Sequence, residues 1–392
     1  MSDTNGSGVT ALLAQEVFDG ARMQAQGAVV IEGERVRAVV PLSEIPAGAE
    51  RIETGAALLC AGFVDWQVNG GGGVLFNETP TRAGLRAIAA AHAAFGTTTL
   101  LPTVITDARE VTEAAAQAVA EAIADGDPAI VGIHFEGPHL SLEKCGVHAP
   151  GFIRPLEDAD RARLTRPDLG AVVATLAPEN AALSDMRDLA AAGVHVSLGH
   201  SNADYRTAKA AFAAGARSVT HLFNAMSGLH HRDPGLAGAA LETPHVHLGI
   251  IPDGHHVHPM MLDLAVRVAG PKRLTLVTDA MSSVGHPADR FELNGRTVER
   301  KDGRLTIADG TLAGSDLDMA SAVRIMAASC GASLPEVLRM ASLQPARMLG
   351  LADRGHLQPG ARADVLALDA DLGLLAVWIA GRRQETEVFS AV

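Results

Sequence analysis

Four residues in this chain have the types and the spacing to hold a metal ion and put it to use: Glu136 in IHFEGPH, His200 in VHVSLGHS, His221 in SVTHLFN and Asp279 in LVTDAM. Each stands at the carboxyl end of a different short apolar run. One carboxylate and two imidazoles form a mixed oxygen and nitrogen set that suits zinc with water in the open position, and a second carboxylate alongside could take that water's proton. Singly, each residue has a plainer reading. A carboxylate before Gly-Pro is also what a solvated loop charge looks like, a lone histidine at a strand end is commonly packed or capping, and Asp279 suits the cap of a following turn. The chemical reading gains because separate strands supply all four.

Eight runs read as strands: Gly62–Val68, Thr97–Leu101, Ile130–Phe135, Val172–Leu176, Val194–Leu198, Ser218–Leu222, Val246–Ile251 and Leu274–Thr278. Ala-rich amphipathic helices separate most of them, at Thr81–Phe95, Ala108–Ala124, Asn180–Ala192, Ala203–Ala214 and Pro259–Val268. In the first helix Leu85, Ile88, His92 and Phe95 recur near helical spacing. This alternation predicts an α/β protein with a parallel sheet, and eight strands close a (β/α)8 TIM-like barrel whose active face lies at the strands' carboxyl ends. The two ends of the chain differ in period. GAVVIEGERVRAVV reads as a hairpin, and the segment after Gly355 again shows β-rich runs, so the termini are expected to pair into one small discontinuous β-sandwich domain. The expected division is 1–60 with 356–392 for that domain and 61–355 for the barrel. Two stretches interrupt the rhythm, 139–165 after the third strand and a hairpin-like 285–315 after the eighth; long loops on that face are commonly lids or substrate walls. The Gly70–Gly73 run precedes no Gly-Lys-Ser/Thr, so it reads as a flexible or close-approach loop, not a nucleotide cradle. His134, two residues before Glu136, shares its strand face and could support it from behind.

The 392 residues are 47% hydrophobic and 20% charged, enough for a full barrel core plus an appendage. A net charge of −13 disfavours nucleic acid and anionic membrane as partners, and any phosphate site must be a local exception built from Arg or His. The start, MSDTNGSGVT, has neither a basic nor an apolar leader region, and no later run reaches the roughly 18 apolar residues of a spanning helix, so a soluble cytoplasmic protein is expected. Cys60, Cys145 and Cys330 are odd in number and widely spaced, which fits a reducing compartment without disulfides. Cys60 and Cys330 look buried and inert, and Cys145 lies in the 139–165 excursion.

Read in order, GFVDWQVNG, HFEGPH, LAPE, SLGHSNA, THLFNAMSGLHHRDPGLAGAAL, IPDGHHV, LVTDAM and LAGS resemble the N-acetylglucosamine-6-phosphate deacetylases of the amidohydrolase superfamily, over nearly the whole chain. The resemblance implies metal ligation by Glu136, His200 and His221, and a general base and acid at Asp279. Where most of that superfamily carries His-x-His at the end of the first strand, this chain reads Gln67-Val68-Asn69, and neutral amides are poor zinc ligands, so a single divalent ion, zinc, is expected. It further implies that His148 polarises the amide carbonyl and that Gln67, Asn69, His148, Asn224, Ala225, Arg232 and His256 face the substrate. The chain departs from the family at Cys145, often a basic residue there. The implied partners are a small amino-sugar phosphate and a second copy of the chain, a homodimer in which Arg232 reaches the neighbouring site. The implied reaction is hydrolysis of the acetamide of N-acetyl-D-glucosamine 6-phosphate to glucosamine 6-phosphate and acetate. Two alternatives stand beside it: a related amidohydrolase acting on N-acetylgalactosamine 6-phosphate or an N-acyl amino acid, and a sugar-phosphate-binding regulator without catalysis.

Overall fold

The computed structural model describes residues 8–385; residues 1–7 and 386–392, which include most of the start segment and the outer ends of the expected terminal domain, lie outside the described residues. Eight parallel strands stand in one sheet in chain order: Phe63–Val68, Thr97–Ile105, Gly132–Glu136, Ala171–Leu176, His195–Leu198, Ser218–Val219, His247–Ile250 and Leu274–Leu276. The first and eighth meet past their ends through a parallel bridge, Val68 to Ala280, and an Asp279 N–H to Gln67 O bond of 2.9 Å, which all but closes the barrel. All five helices expected from the sequence are present, displaced at their ends by up to three residues. Beyond these, Gly235–Glu242 follows the sixth strand, with Gly235–Leu241 apolar and buried, so it lacks the amphipathic stripe that marks the others, and Met319–Ser329, Leu334–Ala341 and Leu343–Met348 follow the eighth.

Local chemistry explains these elements. The helix Arg82–Ala93 starts where the Thr81 side chain accepts the Gly84 N–H, and it buries Leu85, Ile88, Ala89 and His92 on the barrel. Every residue of Thr97–Ile105 is buried because helices cover the outside while side chains fill the inside. Trp66 fills the interior, bonded through its indole N–H to Thr275 Oγ1 at 3.0 Å, and it fits because residue 249 is Gly: a Cβ there would lie 2.5 Å from the Trp66 ring. Truncating so buried an aromatic typically costs about 3–5 kcal/mol.

The termini build a seven-stranded sheet, in which Val9–Phe18 pairs antiparallel with Met23–Glu32 and parallel with Glu50–Ala61, while Val365–Leu368 and Leu374–Ile379 extend the far side. Its Arg35–Pro41 edge also meets the segment that leads into Val365–Leu368, since Val36 N–H donates to Ala361 O at 2.8 Å and Ala363 N–H to Glu34 O at 2.9 Å. The space enclosed is filled by Leu12, Val29, Leu59, Val365 and Trp378. Arg362 joins this domain to the barrel by donating to Thr98 O at 3.0 Å while its charge is met by Asp364. No helix among the described residues is long and apolar enough to cross a membrane.

The two interruptions are ordered. The 285–315 stretch forms a three-stranded sheet, Arg290–Leu293, Arg296–Lys301 and Arg304–Thr306. The 139–165 stretch holds two short 3-10 turns and the helix Asp158–Leu164. The glycine run is not a flexible loop: Gly70–Gly71 and Val74–Leu75 form a tight hairpin turned by Gly72 and Gly73 at positive φ, and a Cβ on Gly70 would lie 2.4 Å from Val74 O.

Candidate active site

Glu136 is the last residue of the third barrel strand, and His200, His221 and Asp279 follow the ends of the fifth, sixth and eighth. The last three are non-glycine residues at φ +47°, +35° and +53°, and Ala225 joins them at +48°. Such backbone costs about 1–3 kcal/mol per residue and is found where a site needs a side chain aimed off the strand's own pleat. Here it accompanies the two imidazole rings and the Asp279 carboxylate that share one cavity.

The structure brings Glu136, His200 and His221 to one point. Glu136 Oε1 lies 3.0 Å from His221 Nε2 and 3.3 Å from His200 Nε2, and the two Nε2 atoms are 3.1 Å apart. Donor atoms on a tetrahedral ion with bonds of 2.0–2.1 Å are roughly 3.3–3.4 Å apart, so this triangle fits a small divalent cation. His200 Nδ1 donates to Lys144 O at 2.8 Å, which leaves Nε2 with a free lone pair, as ligation requires. A nitrogen of His148 also comes within 4.8 Å of the Glu136 and His200 donors. Burial alone would raise the Glu136 carboxyl, but the His200 and His221 rings beside it hold it well below the usual carboxylate range.

Asp279 lies alongside, almost fully buried, and burial together with the Glu136 charge pushes its carboxyl up to about 6. A cation held by Glu136 would draw it down again. Two amides grip it. Gln67 Nε2 donates to Asp279 Oδ1 at 3.1 Å and to Glu136 Oε1 at 3.2 Å, and Asn69 Nδ2 donates to Asp279 Oδ1 at 2.7 Å. Gln67 therefore bridges the two carboxylates; the register between the first and second strands slips between Asp65 and Val68, which is where this side chain sits.

These groups line a cavity of about 350 Å³, together with Asn69, Glu143, Lys144, His148, Asn224, Ala225, His256 and Met281. His148 is buried and neutral, its ring held well below the usual imidazole range by burial first and then by His200. The Thr106 N–H donates to its Nδ1 at 3.3 Å, with Thr106 Oγ1 at 2.8 Å, so the ring proton resides on Nε2. His256 Nδ1 is bonded to Asp253 Oδ2 at 2.6 Å. Two residues singled out from the sequence stand apart from the cavity wall: Gln67 lies behind it, and Arg232 is exposed on the loop before Gly235–Glu242. His134 is deeper still, between Thr103 and Thr175, and burial pushes its ring down to about 4. Thr106, Asp253, Glu143 and Lys144 were not anticipated. Asp253 alone left a trace in the text, three residues before His256 in IPDGHHV.

Residues 58–389 match the amidohydrolase family. The chain is 48% identical over 323 residues, 82% of each chain, to an N-acetylgalactosamine-6-phosphate deacetylase of Shewanella sp. (strain ANA-3). It is 35% identical over 362 residues, 91% of this chain and 94% of the other, to the N-acetylglucosamine-6-phosphate deacetylase of Haemophilus influenzae. Its fold is similar to that of the N-acetylglucosamine-6-phosphate deacetylase from Pasteurella multocida, at a TM-score of 0.92 and 34% identity over 96% of this chain and 99% of that one.

Proposed function

The chain belongs to the amidohydrolase family, and on that premise we propose that it hydrolyses the acetamide of N-acetyl-D-glucosamine 6-phosphate, releasing acetate and glucosamine 6-phosphate. The observation that carries this reading is the Glu136, His200 and His221 triangle with Asp279 beside it in one cavity. The three side chains would hold one divalent ion, which we take to be zinc, and when bound such an ion supplies Lewis acidity to the acyl carbonyl and makes water nucleophilic near neutral pH.

The remaining steps belong to side chains of this protein. Asp279, oriented by Asn69 and Gln67, takes the proton of the attacking water and returns it to the sugar nitrogen as the C–N bond breaks, so that the amine leaves neutral. His148, with its proton on Nε2, donates to the carbonyl oxygen as negative charge develops there. His256, set by Asp253, and Asn224 with Ala225 line the same cavity and face the sugar and its phosphate. Arg232, exposed and off the wall of its own cavity, serves the neighbouring site of a homodimer. A cytoplasmic setting suits the three free thiols.

The N-acetylgalactosamine epimer is the second reading, favoured by the 48% identity to a deacetylase of that sugar phosphate. Acetate release from each epimer, by protein of measured metal content, decides between them. Release from neither would overturn the enzyme reading, and binding without turnover would point to a regulator. Arg232→Ala should weaken use of the phosphorylated sugar far more than of free N-acetylglucosamine; equal losses would remove Arg232 from the phosphate.

A further inference from the structure

An anionic substrate entering this cavity meets mostly negative charge. Its wall carries the carboxylates of Glu136, Glu143 and Asp279, and the whole chain has a net charge of −13. Among the lining residues one, Lys144, is a lysine or arginine. It is partly buried, and among the described residues the only lysine in an ion pair is Lys209, so the Lys144 ammonium is not neutralised by a neighbour. The turn that carries it is anchored at three points. The Ser141 N–H donates to His200 O at 2.8 Å, His200 Nδ1 donates back to Lys144 O at 2.8 Å, and Glu143 Oε2 accepts from Asn202 Nδ2 at 2.6 Å. The short turn Leu142–Lys144 is thereby fastened to one of the candidate metal ligands, and it sets Lys144 among the residues that line the cavity.

We propose that Lys144 is a specificity-determining residue that pairs with the phosphate of the substrate, because it is the one unpaired cation on a cavity wall whose other charges are carboxylates. This rests on the amino-sugar phosphate reading of the site. A phosphate monoester carries close to two negative charges near pH 7, so a single exposed arginine contributed by another copy leaves about one of them unmatched. An ammonium on a flexible four-carbon stem meets phosphate as a point charge and tolerates small changes in its position.

The test compares wild type, Lys144→Gln and Lys144→Arg in two assays. In the first, kcat and KM are measured for N-acetylglucosamine 6-phosphate and for unphosphorylated N-acetylglucosamine. Lys144→Gln should raise KM for the phosphorylated sugar on the order of 10- to 100-fold, as loss of a charge-assisted contact does, with a much smaller change for the free sugar. Lys144→Arg should restore most of the loss. In the second, calorimetry measures the binding of inorganic phosphate alone, a readout that holds even if neither sugar is turned over. Wild type and Lys144→Arg should bind and Lys144→Gln should bind at least about tenfold more weakly. Equal losses on both sugars, a kcat effect without a KM effect, no phosphate binding by wild type, or equal phosphate affinity in the Gln variant would each overturn the proposal.

Discussion

At the scale of single residues, Asp279 and Gln67 carry the sharpest expectations. Asp279→Asn keeps the shape and removes the base, so turnover should vanish while the metal content, read by elemental analysis, stays near that of wild type; His200 or His221 replaced by Ala should release the metal instead. Gln67 touches both carboxylates, and its amide N–H groups stabilise their ionised forms. Gln67→Leu removes those donors, which raises the Asp279 pKa, and the acidic limb of the kcat/KM profile should move up by about one pH unit. A limb that stays in place would mean that the bridge does not govern the base. The cysteines divide by surroundings: burial pushes the Cys60 thiol up to about 12, which makes it inert, while Cys145 sits partly exposed in the loop beside the cavity.

At the scale of elements, the 139–165 segment positions one wall of the cavity and is itself held from beneath. Asp160 is fully buried and is met by Arg154 and Arg163, with Arg109 at 3.5 Å and His139 Nε2 at 3.7 Å. Burial opposes its ionisation, but the Arg154 hydrogen bond and the surrounding positive groups hold its carboxyl far below the ordinary range. A carboxyl lowered on folding contributes stability above its unfolded pKa, about 3.9, and that contribution disappears as the pH falls through the lower folded value. Asp160→Asn leaves buried cations unmatched and should cost about 3–5 kcal/mol, seen as a lower Tm at pH 7 whose difference from wild type shrinks in strong acid. A Tm difference independent of pH would assign the loss to packing. The three-stranded insert supports the same segment from above, where the Arg296 guanidinium donates to Val147 O. The Arg296 contact was not legible in advance, because it joins segments far apart in sequence, whereas Arg154 and Arg163 meet Asp160 from within the same segment.

For the whole molecule, the terminal sheet joins strands from both terminal regions of the described residues, and we propose a division of the protein into 1–60 with 356–392 and 61–355. Trp378, 3% exposed, fills the interior of that sheet with Leu12 and Leu59. Trp378→Ala should cost about 3–5 kcal/mol. If the two units unfold together, thermal denaturation will show a single transition at lower temperature and loss of the acetate-release activity in step; two separate transitions would show that the sheet and the barrel are thermodynamically independent.

Periodicity alone was enough to place the eight barrel strands and five of the helices, because burial repeats every two residues in a strand and at helical spacing in a helix, and both repeats survive in the text; it missed Gly235–Glu242, which is buried on nearly every side, and the helices after the eighth strand. The chemistry of the site was legible for the same reason: Glu136, His200, His221 and Asp279 each mark the end of an apolar run, and run ends lie together at one mouth of a barrel. What only the tertiary structure decided is which way side chains turn once they arrive. The positive φ of His200, His221 and Asp279, the slipped register at Gln67, the placement of Lys144 on the wall and the absence of Arg232 from it all depend on contacts between segments remote in sequence. Local preference sets the repeat of an element; the last few ångströms of a side chain's reach are set by whatever packs against it.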